Sequence, residues 1–142
     1  MKYLLDTCVI SELISKKPNK AVIEWLDSRA ENSVYLSVIT IGEIEKGIEK
    51  LDESRKKRSL REWLEEDLLK RFEGRIVEID IEVMLEWGRL SGRLEKQGKK
   101  MPAVDSMIAA IAFKEKMYLV TRNEADFKES GVEIINPWNV EK

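Results

Sequence analysis

The sequence of 142 residues contains no histidine and only one cysteine, Cys8. Without an imidazole, the chain can have no Ser-His-Asp triad, no histidine general base and no zinc site that uses histidine. A single thiol likewise excludes disulfides within the chain, thiolate zinc clusters and CxxC redox chemistry. Any catalysis by this chain must therefore use carboxylates, hydroxyls, amides, lysine or arginine.

Long hydrophobic runs are also missing. An apolar run follows Lys2 at the N-terminus, but Asp6 interrupts it after three residues, so we expect no cleavable export signal. No stretch approaches the roughly 20 apolar residues that a membrane-spanning helix needs. A chain without disulfides fits a reducing compartment, and these features together predict a protein of the cytoplasm with no membrane partner.

Apolar residues make up 43% of the chain and charged residues 37%, a balance that is typical of a soluble globular protein. The length predicts one domain over residues 1–142, and no repeat, low-complexity segment or linker divides it. A formal net charge of -2 argues against a uniformly basic nucleic-acid binder, but it leaves room for local basic patches.

Short apolar segments alternate with segments of helical spacing along the chain. The predicted strands lie at residues 3–5, 34–38, 75–80, 118–121 and 132–135. Helical patterns separate them, among them one helix predicted within residues 52–75 and a small apolar helix at residues 106–113. Strands separated by helices indicate parallel crossovers, so we predict a three-layer α/β fold with a central, mainly parallel sheet of about five strands.

Four acidic residues stand near the ends of predicted strands or the starts of helices: Asp6, Glu43, Asp105 and Asp126. Open parallel sheets place their sites at the carboxyl ends of strands, although each acid alone is explained as a helix cap or first-turn residue. Three carboxylates that converged to about 5 Å would repel pairwise by roughly 3 kcal/mol at an effective dielectric of about 20. A hard cation such as Mg²⁺ or Mn²⁺ would offset that repulsion, and ions held by carboxylates suit phosphoryl transfer.

Four ordered segments carry a resemblance to a known family. They are residues 4–13, 37–43, 105–110 and 121–127. Together they resemble PIN domains, and the ending at residues 131–138 is similar to the VapC and FitB branch of prokaryotic toxins. The resemblance covers nearly the whole chain, and the motifs follow one another in the order of the family.

The resemblance implies a magnesium- or manganese-dependent endoribonuclease, usually a homodimer, that a VapB-type antitoxin holds inactive. Such an enzyme hydrolyses RNA to a 5′-phosphate and a 3′-hydroxyl. Carried over by position, Asp6, Glu43 and Asp105 match the acidic triad of the family, which binds metal and catalyses, and Asp126 matches its more variable fourth acid.

Three polar residues match positions that line the pocket in the family. Thr7 matches the hydroxyl beside the first aspartate, while Thr121 and Asn123 match polar side chains, and the three are expected to position substrate or water. Cys8 departs from the pattern, because the family commonly has asparagine there. The departure leaves the carboxylate set intact and puts a polar contact from that position in question.

Other charged residues carry secondary hypotheses. Glu12 lies six residues after Asp6, which is nearly two helical turns, so we expect it to point away from the metal or to border the pocket. Arg89, Arg93 and Lys96 recur at helical spacing, and they either contact the phosphates of RNA or form a solvated helix face with acidic partners.

The apolar pair Met84 and Leu85, close to Trp87, is the predicted surface for self-association. Two alternatives to the enzyme stay open. A PIN-like module would bind metal and partners without useful turnover, although its acids are intact. A response-regulator receiver also has a magnesium-binding acid pocket, but it needs an acidic pair after the first strand and a lysine after the fifth, and this chain has neither.

Overall fold

Five short strands form one sheet with the order β3-β2-β1-β4-β5, and every pairing is parallel. The strands are β1 (Tyr3–Leu5), β2 (Val34–Ser37), β3 (Ile76–Val77), β4 (Tyr118–Val120) and β5 (Ile134–Ile135). This computed structural model describes residues 1–139, so residues 140–142 of the predicted single domain lie outside the described part. The central position of β1 follows from its register, in which Leu4 pairs with Tyr35 on one side and with Leu119 on the other.

Helices connect successive strands and cover both faces of the sheet. They are α1 (Thr7–Leu13), α2 (Lys20–Asp27), α3 (Val38–Glu49), α4 (Arg55–Glu62), α5 (Leu69–Arg71), α6 (Ile81–Lys96), α7 (Ala103–Glu115) and α8 (Glu124–Phe127). A π-helical segment, Trp63–Leu68, joins α4 to α5. The helix predicted within residues 52–75 is therefore present, but its middle is more loosely wound than an α-helix.

The sheet lies between two apolar clusters, which confirms the three-layer α/β prediction. Alternation along β1 sends Tyr3 and Leu5 into one cluster, with Val9, Phe72 and other residues of α1–α5, and sends Leu4 into the other. The second cluster holds the small apolar face of α7, including Ile108, and residues of α6. Strands buried on both faces read as continuous apolar runs, which explains why the sequence indicated them clearly.

Side-chain caps begin two of the helices that leave the carboxyl edge of the sheet, α1 and α3. Asp6 caps α1, and Ser37 caps α3 by accepting the N–H of Thr40 at 3.2 Å. The side chain of Asn19 caps α2 by accepting the N–H of Val22 at 3.2 Å. A strand that ends in a cap turns directly into a helix, so polar side chains are fixed at that edge.

The two edge strands are shorter than the sequence predicted. The prediction of a strand over residues 75–80 is wrong beyond Ile76–Val77, because β3 has a partner on one side only and Asp80 already caps α6. At the other edge, Val132 packs into the second cluster instead of pairing as a strand residue. Within residues 1–139, no helix is long and apolar enough to cross a membrane.

Candidate active site

Asp6 stands at the end of the central strand, where it also caps α1. The residue is only 6% exposed. Its Oδ1 accepts the N–H of Thr7 at 2.8 Å, and its Oδ2 accepts the hydroxyl of Thr121 at 2.8 Å. Burial raises the pKa of Asp6 above its ordinary value; the bonds from Thr121 and Thr7 act against this rise, and the charges of Glu43 and Asp126 add to it. The strand end therefore presents a carboxylate that is held from two sides.

Thr121 follows β4 and is fully buried. Its oxygen accepts the N–H of Asn123 at 3.0 Å while its hydroxyl donates to Asp6. Because a hydroxyl has one proton, the donation from Asn123 directs that proton towards the carboxylate. Thr121 thus supports Asp6, and Asn123 contributes its backbone while its side chain stays exposed.

Glu43 lies on α3, and the first residue of α1 holds it. The hydroxyl of Thr7 donates to Oε1 of Glu43 at 2.5 Å. The Thr7 oxygen also lies 3.1 Å from the hydroxyl of Thr40, a residue that is 1% exposed. The sequence predicted that Thr7 positions substrate or water, whereas in this structure its hydroxyl contacts a carboxylate and a second threonine.

Asp105 and Asp126 complete the acidic group from the opposite face of the sheet. Asp105 lies in the first turn of α7 and Asp126 lies in α8. Burial raises the pKa of Asp105, and the charges of Asp126, Asp6 and Glu43 raise it further, in that order. All four predicted acids therefore lie close enough to act on one another electrostatically.

The four carboxylates face one region without converging on a point. Within residues 1–139, no three acidic side chains stand at the separation of ligands that share one ion. Their chemistry nevertheless fits a hard divalent cation, because the donors are oxygens only and two of the carboxyl groups have raised pKa values. A cation at this position would offset both the burial and the repulsion that raise these pKa values.

Cys8 lies inside the support of the first aspartate. Its sulfur is 3.6 Å from the Thr121 hydroxyl and 3.9 Å from Oδ2 of Asp6, and it accepts the N–H of Arg122 at 3.5 Å. Burial is the largest cause that raises the pKa of this thiol. At this position the half-buried thiol therefore packs behind the carboxylate as a neutral group.

Glu12 has a local structural contact. Its Oε1 accepts the N–H of Asn19 at 2.6 Å and so closes the connection between α1 and α2. It is not among the charges that act on Asp6 or Asp105. The expectation that Glu12 points away from the acidic group agrees with this geometry.

The three predicted RNA contacts lie on α6. Arg89 is 3.4 Å from Glu86, the acidic partner that a solvated helix face would supply. Arg93 donates to the backbone carbonyl of Ser130 at 3.2 Å, and Lys96 ends the helix in an exposed position. A role of these residues in RNA binding stays a prediction.

The sequence reasoning missed Thr40. It lies three residues before Glu43, so the two residues are neighbours on one face of α3. That spacing from a suspected carboxylate was the available signal. Its partner Thr7 belongs to another helix, and the pairing becomes visible only when α1 packs against α3.

Known proteins resemble this chain over nearly its whole length. The sequence profile described as PIN domain matches residues 3–132. The chain belongs to the PIN domain family. This PIN domain is 38% identical over 136 residues to Toxin FitB of Neisseria gonorrhoeae, covering 96% of this chain and 98% of that protein. It is 32% identical over 135 residues to VapC ribonuclease Y4jK of Sinorhizobium fredii, covering 95% of this chain and 96% of that protein.

Solved structures place the PIN domain in the same branch of the family. The crystal structure of FitAcB from Neisseria gonorrhoeae superposes with a TM-score of 0.92 at 38% identity, over 97% of this chain and 99% of that chain. VapBC2 from Rickettsia felis, bound to a DNA fragment from its promoter, gives a TM-score of 0.80 at 28% identity, over 96% and 98%. The resemblance to VapC- and FitB-like PIN toxins is confirmed.

Proposed function

We propose that this PIN domain is an endoribonuclease, the toxin of a toxin–antitoxin pair, and that Asp6, Glu43, Asp105 and Asp126 are its catalytic carboxylates. The observation that carries the proposal is the mutual influence of these four acids, which come from four separate segments of the chain. Family membership and relatives named as ribonucleases support it. The receiver alternative is dropped, because the chain belongs to a different family.

The same four carboxylates are proposed to hold Mg²⁺ or Mn²⁺. A bound divalent cation supplies Lewis acidity and neutralises charge on the phosphodiester. The protein contributes the fixed positions: Asp6 is held by Thr121 and by the N–H of Thr7, and Glu43 is held by the hydroxyl of Thr7. Asp105 and Asp126 supply further negative charge on the α7 and α8 side of the site.

The substrate is proposed to reach the site along the basic end of α6. Lys96 ends this helix, and residues 97–102 connect it to the first turn of α7, which carries Asp105. Arg89, Arg93 and Lys96 would then contact phosphates that flank the cleaved bond. Thr121 and Asn123 would complete the pocket wall beside Asp6, and cleavage would leave a 5′-phosphate and a 3′-hydroxyl.

A VapB-type antitoxin and a second copy of the chain are the proposed protein partners. The FitAcB and VapBC2 structures, which are complexes of a toxin with its antitoxin, support the antitoxin partner. With an RNA substrate and these partners, the protein is proposed to act in the cytoplasm.

The test is a cleavage assay on single-stranded RNA with the purified full chain. We expect cleavage with Mg²⁺ or Mn²⁺, loss of cleavage with a chelator, and recovery when either ion is added back. Asp6→Ala and Asp105→Ala should reduce cleavage by at least about 100-fold, whereas Glu82→Ala, an exposed acid on α6, should cleave as the parent does. Cleavage by both aspartate variants at the parental rate would refute the proposal.

A binding module without turnover is the second candidate, and one observation favours it. Within the described chain, the carboxylates do not converge to the spacing of ligands on one ion. The same assay separates the two functions, since a binding module would retain RNA in a filter-binding experiment with Mn²⁺ and leave it uncut.

A further inference from the structure

We propose that Thr40 is a positioning residue of the active site, and that its buried hydroxyl, in contact with the Thr7 hydroxyl, keeps Thr7 in place to hold Glu43. The inference rests on the proposed function, because the position of Glu43 matters only if the carboxylates act together. The three residues come from two helices, α1 and α3, which contact each other beside the central strand.

A hydrogen bond from its backbone holds Thr40 in the first turn of α3. Thr40 is the third residue of α3, and its N–H donates to the capping hydroxyl of Ser37 at 3.2 Å. Glu43 follows three residues later, so both side chains leave the same face of the helix. Thr7, the first residue of α1, lies within hydrogen-bond distance of both.

The Thr7 hydroxyl can donate its single proton to one neighbour only. The Thr7 hydroxyl has one proton and two neighbouring oxygens, Oε1 of Glu43 at 2.5 Å and the Thr40 hydroxyl at 3.1 Å. A bond to a carboxylate is shorter and stronger than one between neutral hydroxyls, so the proton belongs to Glu43. The Thr40 hydroxyl, 3.1 Å away, is the second neighbour that fixes the orientation of the Thr7 hydroxyl.

Burial decreases from Thr40 through Thr7 to Glu43. Thr40 is 1% exposed, Thr7 is half-buried and Glu43 is exposed. A buried β-branched side chain has little rotamer freedom, whereas an exposed glutamate has a great deal. The contacts of Thr40 with Thr7 and of Thr7 with Glu43 therefore let a fixed core residue restrict the position of a carboxylate at the surface.

The test compares Thr40→Val with Thr40→Ser in the full chain. Valine keeps the shape of the buried side chain and removes the hydroxyl, while serine keeps the hydroxyl. We expect Thr40→Val to bind Mn²⁺ about 10-fold more weakly, measured by electron paramagnetic resonance of the free ion without RNA. It should also lower kcat for RNA by about 10-fold with KM unchanged, and Thr40→Ser should stay within about 3-fold of the parent in both measurements.

A double-variant cycle with Thr7→Val tests whether Thr40 acts through Thr7. If it does, the variant carrying both valines should bind Mn²⁺ no more weakly than Thr7→Val alone. Losses that add would show that Thr40 acts independently and would overturn the proposal. The proposal would also be overturned if the parent binds Mn²⁺ and cleaves RNA and Thr40→Val does both equally well.

Two further measurements separate positioning from stability. Ser130→Ala removes another fully buried hydroxyl, one that donates to the carbonyl of Phe127, and it should leave Mn²⁺ affinity unchanged. Should Thr40→Val fail to fold in thermal unfolding, Thr40→Ala takes its place with the same expected loss. A parent that neither binds Mn²⁺ nor cleaves RNA would refute the proposed function itself, and the positioning role with it.

Discussion

The carboxyl groups of Asp6 and Asp105 differ in the hydrogen bonds that they accept. Two hydrogen bonds hold Asp6, whereas within residues 1–139 no hydrogen bond reaches the carboxylate of Asp105. Burial and the neighbouring acids raise the pKa of Asp105 above its ordinary value. A carboxyl group whose pKa is higher in the folded chain favours folding while it is protonated, and this contribution is lost as the pH rises through the folded-state pKa.

Asp105→Asn should therefore stabilise the protein at neutral pH. In buffer without divalent cations, we expect the free energy of unfolding at pH 7 to rise, because the amide has no charge to bury or to be repelled. Urea denaturation from pH 7 down to pH 4 should show the gain shrinking, since the parental carboxyl becomes protonated in the folded state. A gain that is independent of pH would contradict this origin, and the same variant should cleave no RNA.

The positions of the acids were predictable at this scale, but the roles of the hydroxyls were not. Asp6 and Asp126 follow strands that read clearly as buried, so parallel topology brings their ends together. The contact of Thr7 with Glu43 depends on how α1 packs against α3, which no local pattern records. Thr40 lacked a charge and an apolar stripe position, so its spacing from Glu43 was the one signal that the sequence offered.

At the level of elements, two serine caps allow stability to be separated from activity. Ser37 caps α3, which carries Thr40 and Glu43, by accepting an N–H at 3.2 Å. Ser54 caps α4 in the same way, by accepting the N–H of Lys57 at 3.1 Å. Removal of either hydroxyl leaves one backbone donor of a first helical turn without its partner.

Ser37→Ala and Ser54→Ala should each lower the free energy of unfolding by about 1 kcal/mol in urea denaturation. Only Ser37→Ala should also reduce RNA cleavage, because the first turn of α3 sets the direction of the Glu43 side chain. Equal cleavage by the two variants would mean that this turn keeps its position without the cap.

The sequence predicted the strands well where both faces of the sheet are buried, and it predicted the edge strands poorly. The caps Asn19 and Ser37 were readable because a polar residue precedes a helical stripe. The π-helical segment Trp63–Leu68 was not, since its apolar residues differ little from those of an α-helix. An edge strand ends where its pairing with the neighbouring strand ends, and the local sequence does not show that point.

On the scale of the whole molecule, an exposed apolar patch lies at the beginning of α6. Its members are Ile79, Ile81, Met84 and Leu85, with exposed fractions of 38%, 76%, 41% and 51%. Exposed large apolar residues that cluster mark interaction surfaces more often than isolated ones do. The patch contains the pair that the sequence predicted for self-association, and it supports the proposed homodimer.

Leu85→Glu should convert the dimer to a monomer in sedimentation velocity, because a carboxylate at the centre of the patch would have to be desolvated on association. Ile14→Glu is the matched control, since Ile14 is 40% exposed and lies after α1, outside the patch. A dimer that survives the first change, or is lost with the second, would place the interface elsewhere.

The central position of β1 has a consequence for how the protein is made. The partners of Asp6 and Glu43 are far apart in the chain, since Thr121 follows Asp6 by 115 residues and Glu43 follows Thr7 by 36. During synthesis, residue 6 leaves the ribosome well before residue 121. A nascent chain that ends before residue 121 lacks the Thr121 donor to Asp6 and the fourth acid, so we expect it to have no complete active site.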